Sequence, residues 1–505
     1  MADLRIILII TLTILFNRLI IFSQLFAQDL TEPTSQALQQ QVTPPATSKK
    51  MLIAGESIYA PALLRLFYQR RNFRPAWNDE GLFSPRTDML IKALHQADEE
   101  GLFPEDYHLT KIETLLAEIR ENISPNQFSK DAVNTYRWAE LDLLLTDAFL
   151  TYSSHLLNGR NNPEIISEKE QEIKPPLDLT ALLQSCMETN QIEQTLPALL
   201  PLESGYLELR NALAYYRRIA AGGGWPKISS GPVIKIGDEG EVEERISQIK
   251  LNMERWRWLP QDLERRYLLV NIADFNLAVM EDDKVLISIK AVVGRPFRDT
   301  PILSSRMDKI ILNPYWYIPR KLALEDILPN IKKDPEYLTK QQIRVFLSGG
   351  LETPEVDPKT VEWSKITAKN LNYRFRQEPG PLNSLGRIKF IFPNEFDVYL
   401  HDTPAKELFS RIDRTFSSGC IRIEKAPLLA EYLLQGDPKW TKENILKVIN
   451  QCQAKMIPLS ETIAIYLVYW TAWADKDGSL HFRKDIYERD KQLTQAMREK
   501  PPVLP

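Results

Sequence analysis

The strongest constraint on this chain is a change of hydrophobic period partway along it. From about Glu56 to Arg160, and again through Ile219 after a polar loop at 161–177, apolar residues recur at helical spacing, whereas from Tyr267 onward they come in short runs separated by polar turns. A helix buries one stripe at a period of 3.6 and a strand one face at a period of 2, so a single layer cannot satisfy both patterns. The chain therefore reads as an α+β multidomain protein, a helical unit followed by a β-rich one. Its 505 residues also exceed what one compact core usually holds.

In the helical half, Leu63, Leu64, Phe67 and Tyr68 share one face, and Arg74-Pro75 ends that helix. Met89, Leu90 and Leu94 form a second face, with Leu102-Phe103 after a gap. The longest pattern is Ala132 to Leu157, with Trp138, Leu141, Leu144, Leu145, Phe149 and Leu156 as its stripe. The echo between DEGLFSP and EEGLFPED reflects two helix-ending glycines, not a repeat. His95, His108 and His155 lie here with no nucleophile near them in sequence and read as structural. The pattern of Leu209, Leu213, Tyr216 and Ile219 stops at Gly222-Gly223-Gly224. No strand precedes these glycines and no Lys-Ser/Thr follows, so they end a helix and do not cradle phosphate.

In the second half, Tyr267–Ile272, Asn276–Met280, Val285–Val293 and Ile310–Asn313 read as strands, with a hairpin turn at EDDK, residues 281–284. Many short strands with such turns predict a sandwich or rolled sheet. Residues 320–375 interrupt the strands and read as an insertion. Ala430–Leu434 and Asn444–Lys455 read as helices, and Thr462–Tyr469 as a closing strand. Asn313, Tyr315, Trp316 and Tyr317 are candidates for either a substrate wall or core packing.

The N-terminus carries an address. Ile6–Phe16 is an apolar run too short to span a bilayer, and Leu19–Ala27 is a second. Read as one helix, Ile6–Ala27 would enclose Arg18, at roughly 2.5–3.5 kcal/mol for a central position. Two outcomes stay open, cleavage after Ala27 or retention as an anchor. No cysteine follows the run, which argues against a lipid anchor. Residues 28–52, rich in Gln, Thr and Pro, read as a tether. A net charge of −4 with mixed signs gives no reason to expect nucleic acid as a partner. No residues have metal-ligand spacing and no cofactor is implied. Of three cysteines, Cys186 and Cys452 fall in helical patterns and read as packed small apolar residues. A disulfide between them stays open.

The chemistry concentrates between Tyr399 and Ile423. Val398, Tyr399 and Leu400 run as a strand into His401, one of five histidines, and Asp402-Thr403-Pro404 then breaks the run. Ser417, Ser418 and Gly419 form a second turn, from which Cys420-Ile421-Arg422-Ile423 starts a strand. Alternation puts Tyr399 and His401 on one face of the first strand, and Cys420 and Arg422 on one face of the second. If the strands are neighbours, an imidazole, a thiol and a guanidinium meet. A nearby cation or base activates a thiol that is otherwise only a few per cent thiolate at neutral pH. Gly419 lets the backbone approach a carbonyl, so the N–H groups of Gly419 and Cys420 are candidate oxyanion donors.

This stretch resembles the signature of YkuD-type L,D-transpeptidases, a histidine followed after a spacer by Ser/Thr-x-Gly-Cys-x-Arg. It is most similar to the large periplasmic, YcbB-like branch, in which Ser-Ser-Gly precedes the cysteine as Ser417-Ser418-Gly419 does here. Many other members have a second histidine at the position of Ser418 and Asn where this chain has Glu424. KAVVGRPFRDTPILSS, LNPYWYIP and QEPGPLNSLGRIK also resemble pieces of the catalytic domain, and AGGGWP the end of the branch's scaffold domain. Gly231-Pro232 and Ile236-Gly237-Asp238 resemble the lead-in to the branch's peptidoglycan-binding repeat, and Arg245–Ile249 its exit. Almost nothing lies between, so the repeat reads as missing or reduced to a stub.

The resemblance implies an N-terminal export segment (1–27), a linker (28–52), a helical scaffold (53–228) and a connector (229–262). A β-rich catalytic domain (263–490) follows, with a mobile lid at about 320–375 and C-terminal helices, and then a tail (491–505). It implies Cys420 as nucleophile, His401 as base, and the Asp402 carbonyl as orienter of the imidazole. Ser418 to Cys420 would supply the oxyanion hole, Arg422 would support the loop or a substrate carboxylate, and Tyr399 would line the site. The implied partners are peptidoglycan stem peptides, carbapenem-type inhibitors and other envelope proteins. The implied location is the periplasm, with membrane contact only through an uncleaved N-terminus. The donor would be a tetrapeptide stem attacked at its third residue, giving a 3→3 cross-link. D-amino acid exchange, attachment of a protein to the wall, and a non-catalytic envelope scaffold are the alternatives. A papain-like protease would place its Cys before its His, the reverse of the order here.

Overall fold

The computed structural model describes residues 32–43, 51–79, 82–122, 132–161, 177–222, 242–349 and 353–504. The export segment and the lead-in to the reduced repeat fall outside the described residues.

The helical unit is built around α4 (Ala132–Asn158), against which α1 (Pro61–Arg70), α2 (Pro85–His95), α3 (Leu109–Asn122) and α5 (Leu179–Thr189) pack. Although its sequence shows a stripe, α4 is enclosed on every side from Trp138 to Leu156. Its buried polar residues take over donors that neighbouring loops cannot satisfy. The Asp142 carboxylate accepts from Ala76 N and Trp77 N, and that of Asp147 from Tyr59 N, Ala60 N and His108 Nε2. Two buried carboxylates thus tie chain segments to one helix, which agrees with structural roles for the scaffold histidines.

The tether expectation for 28–52 needs correction. Residues 32–42 are helical, and Leu38 and Val42, one turn apart, are buried in the scaffold core. Arg65 Nε holds the Val42 carbonyl at 3.3 Å. Polar composition hid a short apolar i, i+4 pair, and burying each side chain contributes roughly 1.5–3 kcal/mol.

α6 (Ser204–Ala221) and α7 (Val242–Trp256) complete the unit. The stretch read as the exit of the repeat lies inside α7, and Ile246, Ile249, Met253 and Trp256 all enter the scaffold core. This end of the connector is therefore a packed helix.

The β-rich unit is a rolled sheet. Its strands are β1 (Arg266–Asn271), β2 (Asn276–Glu281), β3 (Lys284–Gly294), β4 (Leu303–Leu312), β9 (Ile388–Ile391), β10 (Leu400–His401), β11 (Thr415–Ser417), β12 (Ile421–Ile423) and β13 (Lys455–Val468). Their order is β11-β3-β12-β10-β9-β4-β13-β1-β2, and β2 pairs back onto β3. Eight strands therefore close a ring, and β11 hangs on β3. Closure removes the open edges that a flat sheet would expose. At the EDDK turn, Asp282 and Asp283 both have positive φ (49° and 58°), the backbone that suits a two-residue hairpin.

Period-2 alternation explains how the two units join. Along β13 and just beyond, Ile463, Ile465, Leu467 and Tyr469 point into the barrel core, while Ala464, Tyr466, Val468 and Trp470 point into the scaffold core. Trp256 of α7 stacks on Trp470 with centroids 4.3 Å apart, and Arg255 pairs with Asp490 at 2.6 Å. Inside the barrel domain, α9 (Ala426–Leu434) and α10 (Lys442–Asn450) cover the core, and α11 (Arg489–Arg498) returns to α7.

The insertion has its own sheet, ordered β7-β6-β8-β5: β5 (Trp316–Tyr317), β6 (Ile343–Leu347), β7 (Glu355–Val356) and β8 (Tyr373–Gln377). With α8 (Leu328–Lys333) it encloses a separate core of Ile327, Ile331, Val345, Trp363, Leu371 and Phe375. The independent layer thus starts and ends a few residues outside 320–375.

Candidate active site

Three neighbouring strands assemble the site. β9 and β10 are antiparallel with Lys389 opposite His401, and β10 and β12 are parallel with His401 opposite Arg422. Two steps earlier in the parallel register, Tyr399 stands opposite Cys420. Alternation then puts Lys389, Tyr399, His401, Cys420 and Arg422 on one face, while Ile388, Phe390, Leu400, Ile421 and Ile423 fill the barrel. That face lines a cleft of about 1550 Å³.

His401 is buried, and its Nδ1–H donates to the Asp402 carbonyl at 2.5 Å. This bond leaves Nε2 as the basic nitrogen. Burial, followed by the Arg422 guanidinium, pushes His401 down to about 3, so the imidazole is neutral at physiological pH. The Asp402 carboxylate accepts from Arg387 N at 2.8 Å and from Lys406 Nζ. Gly386 lies so close that a Cβ there would come within 2.5 Å of that carboxylate.

Cys420 is half-buried, and its Sγ donates weakly to the Asp397 carbonyl at 3.9 Å. Burial pushes the thiol up, while hydrogen bonding from Tyr399 and the Lys389 and Arg422 cations pull it back. The resting pair is thus a neutral thiol and a neutral imidazole, an arrangement that would let a histidine take the proton of an attacking sulfur.

The turn before Cys420 is held from both sides. Gly419 has φ +112°, a conformation L side chains rarely adopt. Its carbonyl accepts from Thr300 Oγ1 at 2.8 Å, and its N–H donates to Ser417 Oγ at 3.2 Å. The Ser418 hydroxyl accepts from Arg298 Nη1 at 3.0 Å. Arg298 also bonds Asp326 at 2.7 Å and contacts Glu325, so one guanidinium ties the turn before Cys420 to the insertion.

Tyr315, Trp316 and Tyr317 line the cleft. Asn313 does not. It is fully buried, with its amide donating to the Val448 and Gln453 carbonyls and its oxygen accepting from Arg387 Nε. Its positive φ of 50° suits a structural asparagine at a strand end. Cys452 is exposed, not packed, and all three cysteines are free.

Sequence reasoning missed Lys389 and Arg298. Both were present in quoted motifs, QEPGPLNSLGRIK and KAVVGRPFRDTPILSS, but only strand order brings them to the thiol. Period-2 alternation could have turned Lys389 away from the core; nothing local could have paired β9 with β10.

Residues 62–213 match the family described as a scaffold domain, and residues 265–445 match the L,D-transpeptidase catalytic domain of the YkuD family. A curated Haemophilus influenzae protein named "Putative L,D-transpeptidase" is 27% identical over 441 residues, covering 87% of this chain and 80% of that protein. The chain thus joins a scaffold domain to an L,D-transpeptidase catalytic domain of the YkuD type, the architecture of the YcbB-like branch.

Proposed function

We propose that this enzyme makes 3→3 cross-links between peptidoglycan stems, with Cys420 as nucleophile and His401 as general base and acid. As Cys420 Sγ bonds to the carbonyl carbon of the donor's third residue, its proton passes to His401 Nε2. The bond to D-alanine then breaks, and the same proton leaves on the D-alanine amine. A stem amine attacks the resulting thioester, gives its proton to His401, and the thiol is restored. The oxyanion would displace Ser417 Oγ as acceptor of the Gly419 N–H, with the Cys420 N–H beside it. Arg422, whose Nε is buried without a hydrogen-bond partner among the described residues, would hold a substrate carboxylate or steady the loop.

The observation that carries this reading is the His401 Nδ1–Asp402 carbonyl bond on the cleft face that also bears Cys420. Cleft size favours a peptide acceptor over a free D-amino acid. The cavity exceeds the roughly 300–1,000 Å³ typical of small-molecule pockets and runs from Cys420 to Asn161, Trp258 and Gln492, near the scaffold. The substrate places the enzyme in the periplasm. Among the described residues no helix is long and apolar enough to cross a membrane. The insertion would act as a lid latched by Arg298.

Intact mass after incubation with a carbapenem tests the site. Wild type should gain one drug mass on Cys420 and the Cys420→Ala variant none. No adduct on wild type, or an equal adduct on the variant, would remove Cys420 as the nucleophile.

A further inference from the structure

We propose that the Lys389 ammonium, held over the Tyr399 ring, is the positioning cation that steadies the Cys420 sulfur as it becomes an anion. This rests on Cys420 being the nucleophile.

The need for such a cation comes from the site itself. Thiolates usually form beside a positive charge. His401 cannot supply one before the reaction starts, because burial keeps its imidazole neutral. Ser418, two residues before the cysteine, offers only a neutral hydroxyl already bonded to Arg298. The charge must come from elsewhere on the same face.

Lys389 meets the geometric requirements. Ile388 and Phe390, both fully buried, clamp its backbone in β9. Its Nζ sits 3.6 Å from the centroid of the Tyr399 ring, the side chain standing opposite Cys420. An ammonium over an aromatic face is attracted by the ring's negative centre, which fixes it without neutralising it. Among the described residues no carboxylate lies within ion-pair distance of Lys389. The Lys389 charge also acts on the thiol more strongly than the Arg422 guanidinium does.

The other charged and titratable groups facing this spot do not replace it. From the loop before β10, the Asp397 carboxylate is an anion, which raises both the Tyr399 hydroxyl and Lys389. Just before β10, the Tyr399 hydroxyl donates toward the sulfur, and on β10 His401 is neutral. Arg422 on β12 shares its field with Arg295 and Glu407. Lys389 is itself lowered by burial and held up by Cys420 and Asp397, the reciprocal of its effect on the thiol.

The test is the pH dependence of iodoacetamide alkylation at Cys420, read peptide by peptide by mass spectrometry in the full chain. Exposed Cys452 serves as the reference in the same molecules. Lys389→Met should move the Cys420 midpoint up by about one pH unit and slow alkylation about tenfold below it, with the high-pH limit unchanged. Lys389→Arg should restore the wild-type midpoint, and Lys389→Gln provides a second neutral variant if the methionine variant fails to fold. Identical midpoints in all variants, or a loss confined to KM for the donor peptide, would overturn the proposal. If instead wild type forms no carbapenem adduct, the nucleophile assignment fails, whatever the lysine does.

Discussion

His155 in the scaffold and His401 in the barrel are both enclosed by protein, and burial pushes each down to about 3. Each is held through Nδ1, His155 by the Tyr107 hydroxyl at 3.0 Å and His401 by a backbone carbonyl at 2.5 Å. The difference lies at the other nitrogen. Nε2 of His155 is buried without a hydrogen-bond partner among the described residues, with Arg160 and Arg257 nearby and no nucleophile. His401 lines a cleft that also holds a thiol. A perturbed histidine is therefore weak evidence of catalysis alone. A carbonyl that selects the tautomer, a thiol on the same face and an open cleft make the distinction.

The two histidines should separate most clearly by mutation. His401→Ala should slow carbapenem acylation about 10²–10⁴-fold with the fold retained. His155→Ala should leave the rate near wild type and lower stability by about 1–3 kcal/mol, because the Tyr107 hydroxyl loses its partner. Stopped-flow acylation with denaturant melts reads both. Equal rate losses from the two variants would erase the contrast.

Gly419→Ala should come next. A Cβ there meets only ordinary contacts, the nearest being Asp299 O at 3.6 Å, so the obstacle is the positive φ and not space. Relaxing that strain would turn the oxyanion donors away and cost about 10²-fold in acylation. A rate within a factor of two of wild type would show that these donors are not aimed by the glycine.

Acid should affect both domains in the same direction. Each histidine has its folded value depressed from about 6.5 to about 3, so below pH 6.5 the unfolded chain binds more protons. Stability is therefore complete above about pH 6.5 and is lost as pH falls toward 3, by about 2 kcal/mol per histidine at pH 5. Replacing His155 with Gln should remove its share of that slope in melts between pH 7 and 4, and an unchanged slope would contradict its burial as neutral imidazole.

The smallest effect belongs to the insertion. Arg298→Ala should raise protease cleavage across 330–375 in the carbapenem-bound enzyme a few-fold, with a modest fall in acylation. Cleavage that is the same with and without inhibitor, in wild type and variant alike, would argue against a latch.

How much of this was readable in the sequence follows from which contacts are local. The change of period separated helices from strands, because each pattern is set within a few residues. The strands ending at His401 and beginning at Cys420 were visible for the same reason. Their parallel pairing was not, nor was closure of the barrel by β2 on β3, since such registers depend on residues far apart in sequence. Lys389 and Arg298 escaped notice for this reason. Asn313 was misplaced because a residue at a strand end can turn outward to a cleft or inward to loop carbonyls, and only the neighbouring helix α10 decides. The helix at 32–42 was hidden by its Gln-rich composition.

Purified tetrapeptide stems offer the most direct measurement. Incubated with wild type, they should give a dimer with the mass of two tetrapeptides less one D-alanine, together with that free D-alanine. The Cys420→Ala variant should give neither. Dimer formed by the Cys420→Ala enzyme, or wild type that carries no acyl group on Cys420 during turnover, would contradict the assignment of this cleft as the transpeptidase centre.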